Sequence, residues 1–264
     1  MSNKKNIKTK LICIDGADNT GKSTLIEYMK QQEEFKNSNT LFLSFPTDEF
    51  RKNRDNSIIS VDNNNNFGLY LNDIVNNLFT EVFKNEYDYI VCDRSYLSTY
   101  IYNYTYGFRG REEFLIEYTY NNFMYSFYTR IRNLFNKYLK EFDTLDVYQV
   151  VLLSISADKL TCKGKSEYKD NNTYETAIDL NKQLQNKVNW QFKLYCDYFK
   201  NDTYLTKFTN SIISDYEFSF KITNSNIYVD NLVHHGGKTG YVRKTVDEIY
   251  NEIIKTKCEV VKVK

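Results

Sequence analysis

The stretch Gly16-Ala17-Asp18-Asn19-Thr20-Gly21-Lys22-Ser23-Thr24 meets the pattern G-x-x-x-x-G-K-[ST] at every fixed position. No other feature constrains the fold as much, because the pattern works only where a strand enters a glycine turn and a helix leaves it. The apolar run Leu11-Ile12-Cys13-Ile14 supplies the strand, and Leu25, Tyr28, Met29 and Phe35 recur near a 3.6-residue period, as a helix requires. Strand, turn and helix in that order aim backbone N–H groups and a helix N-terminus at one point, which seats a phosphate group. Gly16 and Gly21 allow the turn, with Asn19, Thr20 and Thr24 around it. Lys22 then reaches the outer phosphates of a nucleotide, and the Ser23 hydroxyl meets Mg²⁺.

Downstream, strand patterns recur at Thr40 to Phe45, Tyr87 to Asp93, Tyr148 to Ile155 and Asn226 to Asp230. Helical patterns separate them: Phe67 to Phe83, a long stretch from Ser95 to Phe142 broken near Gly107 and Gly110, Thr173 to Phe199, and Lys244 to Ile254. Strands alternating with helices predict an α/β fold, a five-stranded parallel sheet covered on both faces. Two polar segments read as loops: the Asn-rich run around Asn63 to Asn66, and the lysine-bearing stretch Lys159 to Asn172. The segment His234-His235-Gly236-Gly237-Lys238-Thr239-Gly240 holds both histidines but lacks the glycine spacing of a second phosphate loop, and reads as a surface loop. No repeat or linker divides the 264 residues, so a single domain is expected.

Bulk composition excludes several classes. The net charge of +1 offers no basic surplus for nucleic acid. No segment approaches the roughly 18 apolar residues that span a bilayer, and the basic N-terminal residues precede no signal-type apolar run. The five cysteines, Cys13, Cys92, Cys162, Cys196 and Cys258, are scattered, which argues against a disulfide framework or zinc site and for a reducing, cytoplasmic setting.

A second constellation is Asp93-Arg94, which closes an apolar strand. A carboxylate at that strand end steadies a metal ion, and an arginine beside it grips a second phosphate with two prongs. The bland alternative is a helix cap with a neighbouring ion pair.

Together the two motifs resemble the thymidylate kinase-like nucleoside monophosphate kinases. Ile14 to Thr24 looks like their opening, which also carries an acid two residues after the first glycine. Asp93-Arg94-Ser95-Tyr96-Leu97-Ser98-Thr99-Tyr100-Ile101-Tyr102-Asn103 is similar to their second motif, Phe45-Pro46 matches a proline after strand two, and Ile227-Tyr228-Val229-Asp230 resembles their last strand. The resemblance implies a P-loop kinase fold with a lid at about 159–172 and insertions near 107–145 and 200–225. It also implies ATP and Mg²⁺ as cofactors and a homodimer. By matching position, Asp18 accepts from the acceptor's 3′-hydroxyl, Arg94 clamps its phosphate, and Asp93 organises the metal. Phe45, Asn72, Asp73, Ser98, Thr99, Tyr102 and Asn103 are its implied acceptor contacts.

Two departures stand out. The family's catalytic arginine has no counterpart: the loop position is Asn19 and the lid offers only lysines, Lys163 and Lys165 foremost. The family's base-reading Asn-Arg pair aligns with Asn72-Asp73, and an aspartate accepts where an arginine donates, which suits a base carrying an amino group. The implied activity is phosphorylation of a deoxynucleoside monophosphate. A deoxynucleoside kinase is the alternative: Phe45 replaces its carboxylate before the proline, and Asp48 or Glu49 close by could substitute for it. A non-catalytic nucleotide-binding module is a third. A guanine-specific switch is excluded, because no Asn-Lys is followed by Asp two positions on.

Overall fold

The computed structural model describes residues 5–18, 20–55, 66–108, 113–153, 171–198, 221–230, 232–234 and 241–253. Five strands lie side by side in the spatial order β3 (Thr40–Ser44), β4 (Tyr89–Asp93), β2 (Lys10–Gly16), β5 (Phe142–Leu153) and β6 (Lys221–Asp230), every pairing parallel. A two-residue strand, β1 (Lys5–Asn6), pairs with the start of β5 and leads into β2. Parallel neighbours need crossovers. These contain α1 (Lys22–Met29) and α2 (Glu33–Lys36); α3 (Asp48–Asp55), α4 (Asn66–Ile74) and α5 (Thr80–Lys84); α6 (Tyr96–Phe108) and α7 (Glu113–Leu139); and α8 (Asn171–Tyr198). A hairpin of β7 (Leu232–His234) and β8 (Tyr241–Arg243) and a helix over 246–253 follow.

Alternation along the central strands explains why both faces are covered. Leu11 and Cys13 of β2, with Ile90 and Cys92 of β4, enter one core with Leu71, Ile74, Leu78, Tyr96, Tyr100, Phe127 and Phe192. Ile12, Ile14 and Val91 enter the other with Leu25, Ile26, Met29, Phe35, Ile249 and Ile253. A strand buried on both sides reads as a continuous apolar run, which is how β2 and β4 appear in the sequence. The spatial order reverses at β2, so its carboxyl end opens into the crevice where α/β sheets hold ligands.

Several boundaries differ from expectation. The helix expected after the phosphate loop is two, because the chain leaves helical geometry at Gln32 (φ −79°, ψ 143°) between α1 and α2, although Leu25, Met29 and Phe35 still share one core. The helix expected over Phe67 to Phe83 contains a π turn at Val75–Phe79. Its apolar spacing fits an uninterrupted α-helix equally well, so the wide turn was not legible. Strand β5 begins at Phe142 rather than Tyr148, and β6 at Lys221, within the expected insertion, rather than Asn226. Each extends because the other is its partner, from Thr144 opposite Lys221 to Leu153 opposite Asp230. Strand formation by polar residues such as Thr144 and Thr223 depends on that pairing more than on intrinsic preference. His234 ends β7, while 235–240 lie outside the described residues, as do Asn63 to Asn65 and most of the lysine-bearing stretch.

Candidate active site at the carboxyl edge of the sheet

The loop leaves β2 through Gly16, which has a φ of +146°. A Cβ there would meet the Leu152 carbonyl oxygen at 2.5 Å and Thr20 Oγ1 at 3.0 Å. The position therefore demands glycine twice, by backbone conformation and by the close approach of β5. Gly21, also left-handed at φ 98°, starts α1. Thr20 is buried and its hydroxyl donates to the Ala17 carbonyl at 2.9 Å, which stiffens the turn. Thr24 is exposed one turn into α1, and Asn19 lies outside the described residues.

Lys22 is buried, and its ammonium donates to the carbonyls of Gly16 (3.1 Å) and Ala17 (2.6 Å). Burial, helped by the nearby Arg94 charge, lowers its pKa to about 7 against the opposing pull of Asp18, Asp93 and Asp15. A phosphate in the loop would supply the counter-charge that the site leaves short. Next to it, the exposed Ser23 hydroxyl donates to Asp93 Oδ2 at 2.8 Å. The expected metal pair is thus brought together from α1 and the end of β4. A hydroxyl and one carboxylate, both hard oxygen donors beside a phosphate seat, fit Mg²⁺, which keeps waters and substrate oxygens for its other positions.

Arg94 turns the chain from β4 into α6 with φ 70°, a left-handed conformation uncommon for a side chain of this size. Its N–H donates to the Ile14 carbonyl at 2.9 Å, tying the corner to β2. The guanidinium comes back over the loop: Nη1 lies 3.5 Å from the Gly16 carbonyl, Nη2 is paired with Asp18 Oδ1, and the group stacks 5.0 Å from the Tyr102 ring centroid. Burial works against its charge, but Tyr102 and Asp18 outweigh burial and hold the group protonated above its ordinary range. Tyr102 is pushed up to about 12, chiefly by burial, so its hydroxyl remains a donor.

Two residues in this region carried no sequence signal. Gln185 of α8 is buried and holds Asp18 at both ends, accepting from its backbone N–H at 2.7 Å and donating to Oδ2 at 3.0 Å. Gln149 of β5 donates to Asp15 Oδ2 at 2.6 Å. The fully buried Asp15 also accepts from the backbone N–H groups of Ser95 (2.9 Å) and Ser98 (3.1 Å), and from the Ser95 hydroxyl at 2.6 Å. A carboxylate of β2 thereby caps the first turn of α6, satisfying N–H groups that a helix start leaves open.

The remaining acceptor candidates divide. Thr99, Tyr102 and Asn103, spaced as neighbours on one face of α6, are partly exposed. Ser98 instead points inward, donating to Asp15, because the buried carboxylate needs its hydroxyl. Phe45 is 2% exposed and belongs to the core, as an apolar ring beneath the sheet edge must. Asn72 accepts from Arg130. Asp73 accepts from the Thr47 N–H (2.9 Å), the Thr47 hydroxyl (2.7 Å) and Asn77 (2.8 Å). It therefore latches the loop that opens α3, whose first turn Thr47 caps through Phe50 N–H at 3.3 Å. Lys163 and Lys165 lie outside the described residues. Among the described residues no helix is long and apolar enough to cross a membrane, and no three His, Cys, Asp or Glu side chains converge as a metal cluster would.

No family model and no curated protein matches the sequence. Solved structures do. The thymidylate kinase from Candida albicans is 16% identical, with 96% of this chain and 92% of that one covered at a TM-score of 0.50. A thymidylate kinase from Ehrlichia chaffeensis is 16% identical over 65% of this chain and 98% of its own, with a TM-score of 0.33. A deoxyadenosine kinase from M. mycoides is 14% identical over 96% and 99%, with a TM-score of 0.40. Taken with the parallel sheet, its central β2 and the glycine loop that leaves it, the first of these likenesses places the chain in the α/β P-loop kinase fold.

Proposed function

We propose that the protein transfers the γ-phosphoryl group of ATP to the 5′-phosphate of a deoxynucleoside monophosphate. One observation carries this reading: the Arg94 guanidinium faces the loop that Lys22 closes, so a second anion seat adjoins the first. Phosphoryl transfer asks the protein for in-line placement and positive charge, with little covalent help. The loop N–H groups and Lys22 hold the donor phosphates. Ser23 and Asp93, already paired at 2.8 Å, would hold Mg²⁺, which would supply positive charge to the phosphate oxygens. Arg94 presents its fork to the acceptor phosphate, already an anionic oxygen nucleophile near neutral pH, so no strong base is needed.

The Asp18 carboxylate meets one side of that fork. On acceptor binding the phosphate joins Asp18 at the guanidinium, and the half-exposed Asp18 carboxylate, kept in place, meets the sugar's 3′-hydroxyl, favouring a deoxynucleotide whose 3′ position is free. Thr99, Tyr102 and Asn103 then line the side on which the base lies. A nucleoside kinase would need a carboxylate beside the 5′-hydroxyl. The position before Pro46 is the core residue Phe45, and Asp48 and Glu49 stand exposed at the start of α3. The test is an acceptor screen with labelled ATP across the common deoxynucleoside monophosphates and the matching nucleosides. Diphosphate formation from a monophosphate supports the reading, and turnover of nucleosides alone overturns it.

A further inference from the structure

We propose that Gln185 is the positioning residue of this site: its amide clasps Asp18 and so decides whether Arg94 is set to receive the acceptor phosphate. The inference rests on the acceptor role given to Arg94 above. Asp18 is held at two points by one side chain, its backbone N–H by Oε1 (2.7 Å) and its carboxylate Oδ2 by Nε2 (3.0 Å). The other carboxylate oxygen faces the Arg94 guanidinium. Tyr102 closes the arrangement, its hydroxyl 3.2 Å from Gln185 Oε1 and 3.4 Å from Asp18 Oδ1. Asp18 is thus a hinge point between α8 on one side and the β4–α6 corner on the other.

Burial sharpens the argument. Gln185 is 2% exposed, on the stripe of α8 that continues as Val188, Phe192 and Tyr195 in the core. A buried amide that merely filled space would be replaced by an apolar side chain at no loss, whereas one whose partners stay behind leaves each of them unsatisfied. Here the partners are the main chain and carboxylate of the phosphate loop. An amide suits the task because it donates to the carboxylate and accepts from the N–H with one planar group. Among the described residues, the charged and titratable groups that it meets directly or through Asp18 include Asp18 from the loop, Arg94 from the corner and Tyr102 from α6.

The test uses the full-length protein with Gln185→Leu and Gln185→Glu. In Gln185→Leu the acceptor KM is expected to rise ~10-fold or more while the ATP KM moves by less than ~3-fold, the signature of lost acceptor binding. An unchanged acceptor KM, or equal changes in both, overturns the proposal. Gln185→Glu keeps the shape. Ionised, it repels Asp18; protonated, it donates to Oδ2 as the amide does. Its acceptor kcat/KM relative to wild type is expected to climb as pH falls from about 8.5 to about 6, where a raised carboxyl titrates. A flat ratio overturns the proposal, and this arm decides alone if Gln185→Leu fails to fold. Hydrogen exchange at the Asp18 amide, measured without substrate, should quicken ~10-fold in Gln185→Leu if the clasp is its protection. Unchanged exchange means no clasp. If the wild-type protein phosphorylates no monophosphate, the acceptor reading has failed on its own, and exchange still decides whether Gln185 holds the loop.

Discussion

Replacing Arg94 by lysine separates charge from geometry at the centre of the proposed reaction. Lysine keeps the positive charge but delivers it as a point on a flexible stem, without the planar fork that meets two phosphate oxygens together. Arg94 is braced for fork geometry: Nη1 by Gly16, Nη2 by Asp18 and Tyr102, the plane stacked at 5.0 Å on the Tyr102 ring. Losing one charge-assisted hydrogen bond to the acceptor costs about 1.5–3 kcal/mol, or roughly ten- to a hundredfold in acceptor kcat/KM. The fold itself should be spared. Both residues carry the same backbone strain at φ 70°, and an ammonium can still pair with the half-exposed Asp18 carboxylate, a contact discounted for solvent to at most about 1 kcal/mol. Steady-state kinetics with each substrate varied in turn, beside a urea melt, measures both effects. The reasoning is refuted if acceptor kcat/KM stays within twofold of wild type, or if the loss falls on ATP instead.

Gly16→Ala should destabilise the protein by about 2–5 kcal/mol, combining backbone strain at φ +146° with a Cβ placed 2.5 Å from the Leu152 carbonyl oxygen. A fall in Tm of roughly 5–15 °C is expected for a chain of this length, and an unshifted melt would show that the loop has room to move. Because the folded pKa of Lys22 is lowered to about 7 from 10.5, the folded state binds fewer protons than the unfolded one between those values. Stability of the ligand-free protein should therefore rise with pH from about 7 toward 10, and ATP, by restoring counter-charge, should bind with proton uptake near pH 7–8. Calorimetry in buffers of different ionisation enthalpy reads that uptake; a heat independent of buffer would sink it. Asp73→Ala should lower stability by about 1–3 kcal/mol, since the Thr47 N–H and hydroxyl both lose their acceptor. An unchanged urea midpoint would remove Asp73 as the latch of α3.

What could be read from the chain in one dimension was whatever short-range geometry imposes. The spacing of Gly16, Gly21 and Lys22 specified strand, turn and helix, because few backbones let those residues work together. The runs around Cys13 and Cys92 read as strands because a sheet covered on both faces leaves no polar alternation, and the order of strands and helices implied the parallel sheet. The expectation that Asp93 lies near Ser23 agrees with the structure, where β2 and β4 pair side by side; the pairing of Arg94 with Asp18 was not legible.

Contacts between distant segments were decided by tertiary structure. Whether Ser98 faces a ligand or the core depends on Asp15, far away in sequence and buried beneath it. Asp73 is committed to Thr47 because the loop before α3 folds back across α4. Gln185 reaches the phosphate loop only because α8 packs along the central strands, bringing together residues 167 positions apart. A lone glutamine, serine or aspartate satisfies its hydrogen bonds wherever packing supplies a partner, so its sequence neighbours do not reveal its role. Backbone constraint is local and leaves a trace in the sequence; the pairing of buried polar groups is settled when the layers close.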